Sequence, residues 1–465
     1  MSKLTLFFIL NSEVSVIKQT TLLSGDIKKA LVSLALPLLA GTLLQQLYNT
    51  ADVLIVGRFL GVTAFAAVGV AGSVMNLFLF ALNGFCVGLA MIFAQFYGAG
   101  NDDAFRREVF VSLSVGSVVT ALLGGLSLLA LPALLRLTQT PASLIAPVTA
   151  YLTIILVGLF ACYFYNLFSG ILRALGNTRA ALVFLLLCVA LNVLLDWLFV
   201  AVLAFGIAGA ALATVLAQAV CAVCCAAYFF KQYGFLCCRR TDMGFYPALV
   251  KQTLKFGISF AIHQASLYIG KLLVQGAVNT LGTPGIAAYT AVGRIEGFAN
   301  SFGDSGGQAL SLFVSQNYGA GNRQRVRDGL RQGLLLQWGL GLLFSVLLFI
   351  TAVPAMQFFL GPGDAKALCG GSGYLKLIAL FYLLCFTGNT FLGYFRGIGK
   401  VLVPIGGTLL QMALRCTFSY LFIGVWGLPA VAAATAVGWV VIVLYQVLVY
   451  HLLRRKASST AGTTA

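Results

Sequence analysis

Charge is scarce in this sequence, and acid is scarcer still. Only 9% of the residues are charged, against about 25% in a soluble globular domain, and Asp plus Glu number 12 in 465 residues. With 60% of the residues hydrophobic, water is excluded as the main solvent. Catalytic motifs are scarce too: there is no His-Glu-x-x-His and no Gly-x-x-x-x-Gly-Lys-Ser/Thr, which argues against a zinc hydrolase and against ATP as a motor. Histidine occurs twice. The eleven cysteines, Cys221, Cys224, Cys225, Cys237 and Cys238 among them, therefore lack the partners of a zinc site, and most of them read as small hydrophobes in helices. Lys3 followed by the apolar Leu4 to Leu10 resembles the start of a signal peptide, but no small-residue cleavage site follows, so residues 1–30 read as a cytoplasmic leader.

What the sequence does have is one apolar stretch after another. A hydrocarbon core about 30 Å thick needs roughly 20 apolar residues per helix. Twelve such spans are expected, at 31–56, 64–97, 109–135, 146–172, 179–201, 206–230, 252–281, 285–318, 329–352, 373–395, 401–424 and 428–452. The expected fold is an all-α integral membrane protein. Of the 29 Lys and Arg, 22 fall on one side of this topology and only Arg58, Arg136 and Lys366 on the other, with Lys271, Arg294, Lys376 and Arg415 inside spans. The positive-inside rule then places both termini in the cytoplasm. The net charge of +17 is a topology signal and an attraction to anionic membrane lipid, not the footprint of a nucleic acid.

The chain repeats itself. Gln95-Phe96-Tyr97-Gly98-Ala99-Gly100-Asn101 returns as Gln316-Asn317-Tyr318-Gly319-Ala320-Gly321-Asn322, and Gly61, Gly206 and Thr214 meet Gly282, Gly427 and Thr435 in the same register. Six spans per repeat put both halves in one orientation, so two six-helix lobes are expected about an axis along the membrane normal, with a cavity between them. The boundaries are 31–230 for the first lobe, 231–251 for a polar cytoplasmic linker, 252–453 for the second lobe and 454–465 for a cytoplasmic tail.

An acid inside a span costs at least about 2.5–3.5 kcal/mol on insertion scales and points to function. Asp52, Asp196, Glu296 and Asp304 are the candidates. Asp52 shares a helical face with Gln45, Tyr48 and Asn49, and Asn192 lies one turn before Asp196, a carboxylate and an amide that together suit a proton or a small hard cation. The acids of the first repeat have no echo in the second, where Leu273 matches Asp52 and Thr417 to Ser419 lie near the place of Asp196. The second repeat has its own polar set: His263, Gln264, Lys271 and Gln275 on the seventh span, Arg294, Glu296 and Asp304 on the eighth. This set suits either a substrate cavity or a Lys271 ion pair with one of the acids. Pro37 is expected to kink the first helix below Asp52.

Leu36-Pro37, Gln45 to Asn49, Asp52, Val56 to Gly61, Arg294-Ile295-Glu296 and the two Tyr-Gly-Ala-Gly-Asn motifs together resemble the bacterial multidrug and toxic compound extrusion (MATE) transporters, over nearly the whole chain. That resemblance implies a first-lobe cation site at Asp52, Asn192, Asp196 and Thr214. It also implies export of organic, often cationic and amphipathic drugs from the cytoplasm by H⁺ or Na⁺ antiport with alternating access. It further implies a monomer in the bacterial inner membrane, in contact with lipid, with no cofactor beyond the transported ion. Some Na⁺-linked relatives use acids on the seventh and tenth helices, which this sequence lacks. The alternative is a flippase or exporter of a lipid-linked or narrow-range metabolite; a flippase would need a more cationic cavity to hold pyrophosphate.

Overall fold

The computed structural model describes residues 22–137, 140–361 and 365–462; the side chains of 47–57, 62–63, 65–66, 137 and 456–462 lie outside the described set. Thirteen helices follow one another: α1 (Ile27–Gly98), α2 (Asp102–Leu137), α3 (Ala142–Val157), α4 (Leu159–Ala174), α5 (Thr178–Asp196), α6 (Gly206–Gln232), α7 (Pro247–Asn279), α8 (Gly282–Gly319), α9 (Arg323–Leu360), α10 (Ala365–Ala379), α11 (Tyr382–Gly397), α12 (Leu402–Trp426) and α13 (Leu428–Gly462). They make twelve spans. The long α1 holds two, because Gly61 sits at φ 80° and ψ −176°, outside helical geometry, and a residue without Cβ adopts that conformation at little cost. Conversely α3 with α4, and α10 with α11, are single spans bent by 44° and 56°. Two of the twelve, α7 and α8, are long enough to cross a membrane but fall outside those apolar enough to be recognised by hydropathy alone. They carry the polar cluster of the second lobe.

The repeated heptad now has a physical account. Gly100 and Gly321, at φ 65° and 73°, end one helix, and the side chains of Asn101 and Asn322 cap the next by accepting the backbone N–H of Ala104 and Arg325, each at 3.0 Å. Just before each stop, Gly98 and Gly319 face the other repeat. A Cβ on Gly98 would run into the carbonyl oxygen of Gln316, and one on Gly319 into that of Gln95. The glutamines reach across in the same way: Gln95 donates to the Gly397 carbonyl at 3.0 Å and Gln316 to that of Ala174 at 2.6 Å.

Each lobe has its own core, around Phe85, Tyr163 and Phe229 in the first and around Tyr374, Tyr382 and Phe386 in the second. A third cluster joins them near the repeated heptads, with Leu34 and Met91 from one half and Phe256, Phe313 and Phe395 from the other. At this basic end the lobes are also tied by the segment before α1: Arg325 donates to the carbonyls of Leu22, Ser24 and Gly25 at 3.0, 2.7 and 2.9 Å, and Asn317 donates to Leu22 at 3.0 Å. The linker between α6 and α7 packs back on the first lobe, where Arg106 pairs with Asp242 at 3.2 Å.

Gly98→Ala and Gly319→Ala each place a methyl group against opposing backbone that has no rotamer to change. Overpacking of this kind costs about 1–3 kcal/mol. Each variant should melt at a lower temperature than the parent in the same detergent, and unchanged melting would show that the two backbones are not in contact in solution.

Candidate functional site

In the first lobe, α5 and α6 pack side by side and bring three of the sequence-derived residues together. Asp196 is the last residue of α5 and is fully buried, and Asn192, one turn earlier, is 2% exposed. In the orientation that satisfies both ends of its amide, Asn192 donates to Asp196 at 2.7 Å while its oxygen accepts from the backbone N–H and the hydroxyl of Thr214, at 3.1 and 3.2 Å. Thr214 lies on α6, and its single hydroxyl proton is shared between Asn192 and the Ala210 carbonyl, also at 3.2 Å. The helix changes character immediately after the acid: Trp197–Val202 form a π-helical turn, a form that recurs at functional sites. The stretch from Gly176 to Gly206 is two residues longer than its echo from Gly399 to Gly427. The acid therefore stands at an irregularity that the second lobe, with α12 an uninterrupted α-helix, does not share.

The backbone of α1 is helical through Asp52, and α1 packs closely on α5 where Gly41 meets Leu185. The side chains of Tyr48, Asn49 and Asp52 lie outside the described residues. Gln45 is exposed, and Pro37 lies within helical backbone.

In the second lobe, Glu296 on α8 accepts a hydrogen bond from the Tyr374 hydroxyl of α10 at 3.2 Å. Tyr374 meets Tyr289 edge to face, with centroids 6.2 Å apart, and the Tyr289 hydroxyl accepts from Arg415 of α12 at 3.3 Å. Asp304 is exposed and accepts from Asn389 of α11 at 3.1 Å. Lys271 is within electrostatic reach of both acids yet forms no ion pair with either among the described residues. Arg294 is exposed and makes no hydrogen bond to Glu296; Gln275 bonds to Asn279 on its own helix at 3.0 Å. His263, by contrast, is buried: its Nδ1 lies 3.3 Å from Gln264 and 3.1 Å from the guanidinium of Arg396.

Three residues that sequence reasoning passed over belong to these networks. Arg396, counted as a cytoplasmic loop charge, lies in the last turn of α11 and is only 9% exposed, over the ring of Phe260 at 5.0 Å. Arg415 was left as an unassigned intramembrane cation. Glu108 fell one residue outside the expected third span, but it is fully buried in α2 and accepts from Ser112 at 3.1 Å and from Thr253 of α7 at 2.9 Å, a contact between the lobes. A register shifted by two residues from that of the heptads finds the arginines. Arg173-x-x-Gly176 matches Arg396-x-x-Gly399, and the same shift lays Asn192 on Arg415 and Asp196 on Ser419.

Comparison with known proteins agrees with this architecture. The family model MatE matches residues 37–198 and 260–421, once in each lobe. The probable multidrug resistance protein YpnP of Bacillus subtilis (strain 168) is 29% identical over 404 residues, covering 86% of this chain and 89% of that one. The probable multidrug resistance protein NorM of Thermotoga maritima is 28% identical over 406 residues, 83% of each. Among solved structures, a MATE in the bent conformation superposes with a TM-score of 0.84 at 25% identity, over 96% of this chain and 99% of that one. A MOP superfamily transporter from Pyrococcus furiosus superposes with 0.85 at 24% identity, over 95% and 98%.

Glu296 is half-buried, and leaving it without its hydroxyl donor costs at most about 3 kcal/mol. Tyr374→Phe should therefore melt below the parent, whereas Tyr445→Phe, outside this network, should not; equal melting of the two would place the Tyr374 hydroxyl outside the lobe's stability.

Proposed function

The chain belongs to the MATE family and is a multi-pass membrane transporter rather than an enzyme, and from that premise we propose that it exports amphipathic organic compounds, cations among them, in exchange for H⁺ or Na⁺. The observation that carries the proposal is the buried Asn192–Asp196 pair with the half-buried Thr214, a set present in one lobe only. A carboxylate at membrane depth is stable when its charge is neutralised, by a proton or by a small cation with oxygen ligands. Asp196 supplies the charge, while Asn192 and Thr214 hold the carboxylate in place. Asp52, on the helix that borders the cavity between the lobes, is the second titrating group and the one that an organic cation would compete for.

Alternating access follows from the two lobes. The basic end, with the repeated heptads, is the cytoplasmic end by the positive-inside rule, so both termini lie in the cytoplasm of a bacterial cell. The packing of Gly98 and Gly319 there closes the cavity from that side. Binding of the ion at Asp196 favours one arrangement of the lobes over the other by its difference in affinity for the two, which is all that coupling requires.

A second reading draws support from the second lobe, where Arg415, Lys271 and Arg294 could receive an anionic or lipid-linked compound instead. One experiment separates the two. Purified protein in liposomes is given a Na⁺ gradient or a pH gradient, and ethidium efflux is followed. The antiport reading expects efflux under at least one gradient and at least a tenfold loss in Asp196→Asn and in Asp52→Asn, which keep the shape and lose the titration. Variants that pump at the parental rate would remove the first-lobe site from the coupling, and an inert parent would favour the anionic substrate.

A further inference from the structure

Between the lobes, just above the repeated heptads, lies a cavity of about 20 Å³ lined by Val87, Ala90, Met91, Arg173, Gln308, Ser311, Leu312 and Arg396. The two arginines are the same residue in the two repeats, so the pseudo-symmetry of the duplication brings two guanidinium groups to one small space. Arg173 is contributed by α4 of the first lobe and Arg396 by α11 of the second. Each directly precedes a residue whose carbonyl accepts from the opposite lobe: Ala174 from Gln316 and Gly397 from Gln95. The cavity is therefore part of the closure itself.

Its charge is unbalanced. Among the described residues, neither arginine has a carboxylate within 4 Å. Arg396 is bonded to His263, and Asp304, the acid that acts on it electrostatically, already accepts from Asn389. Arg173 and Gln308 make no hydrogen bond among the described residues, and the Ser311 hydroxyl is spent on the weak acceptor Met91 Sδ, at 2.9 Å. Arg396 is 9% exposed and Arg173 half-buried; arginine keeps its charge in a protein, and a charge largely withdrawn from water is stabilised by pairing or strong hydrogen bonds. A water molecule would fit the space but would leave the charge uncompensated.

We propose that this cavity binds one small monovalent inorganic anion, of the size of chloride, between Arg173 and Arg396, with donors from Gln308 and Ser311, and that the anion stabilises the arrangement closed at the basic end. The cavity's small volume suits a single-atom anion better than a carboxylate substrate or a phosphate. Because its walls come from both lobes, separating them at this end dismantles the site and frees the anion. The inference is independent of the ion bound at Asp196 and stands whichever substrate the protein carries.

The test is binding of radioactive chloride to the purified protein in lipid nanodiscs. One saturable site per chain is expected, displaced by bromide and indifferent to gluconate, with at least a tenfold weaker affinity in Arg173→Gln and in Arg396→Gln. Chloride should also raise the melting temperature of the parent at constant ionic strength, and this rise should vanish in Arg173→Gln while its melting in gluconate matches the parent's. If the variants do not fold, crystals of the parent soaked in bromide decide, through an anomalous peak in the cavity. Absence of saturable binding, unchanged affinity in folded variants, or no bromide peak at this position would overturn the proposal.

Discussion

The structure depends on two glycines. Gly98 and Gly319 occupy equivalent places in the repeats, and each lies against the carbonyl of the other repeat's glutamine with no room for a Cβ. At this distance there is no side chain to adjust, so the two lobes either share this contact or separate as bodies. A contact made wholly of backbone behaves as a latch with two positions, because close-packed interfaces resist continuous deformation. Everything else at this end follows the same division: Gln95 and Gln316 reach across it, Arg325 ties the segment before α1 to the second lobe, and Glu108 meets Thr253 over it.

Against this near-symmetric latch, the chemistry of the lobes is opposed. The register that lays Arg173 on Arg396 also lays Asn192 on Arg415 and Asp196 on Ser419, so a carboxylate with its amide in one lobe corresponds to a fixed positive charge in the other. Arg415 spends one donor on Tyr289 and lies within electrostatic reach of Glu296. Duplication supplied the closure at the basic end; divergence supplied two different polar networks, one in each lobe. The π-helical turn after Asp196 fits this history, since it falls where the first lobe has two residues more than the second.

Much of this was legible in advance. Twelve spans, two lobes and the equivalence of the heptads came directly from apolar runs and self-similarity, because hydrocarbon thickness and backbone hydrogen bonding leave a membrane chain few choices. The grouping of Asn192 with Asp196 was legible too, since one helical turn separates them. The contact with Thr214, by contrast, crosses from α5 to α6, and periodicity within one helix cannot supply it; only the family resemblance pointed there. Arg396 and Glu108 were passed over for a related reason. Both lie near the ends of spans, where a one-turn error in the boundary changes a buried group into a loop charge.

The sequence by itself determined the solvent, the number of crossings and the duplication, because each is written in properties that add along the chain: apolarity, charge and repetition. It also fixed which helices would carry ionisable groups. Only the tertiary structure decided which of those groups meet. Arg173 and Arg396 are more than two hundred residues apart and border one cavity, while Lys271, on the helix beside both acids, pairs with neither among the described residues. The reason is geometric: the angle at which two lobes cross, and the close approach that two glycines permit, set distances across an interface that no local pattern encodes.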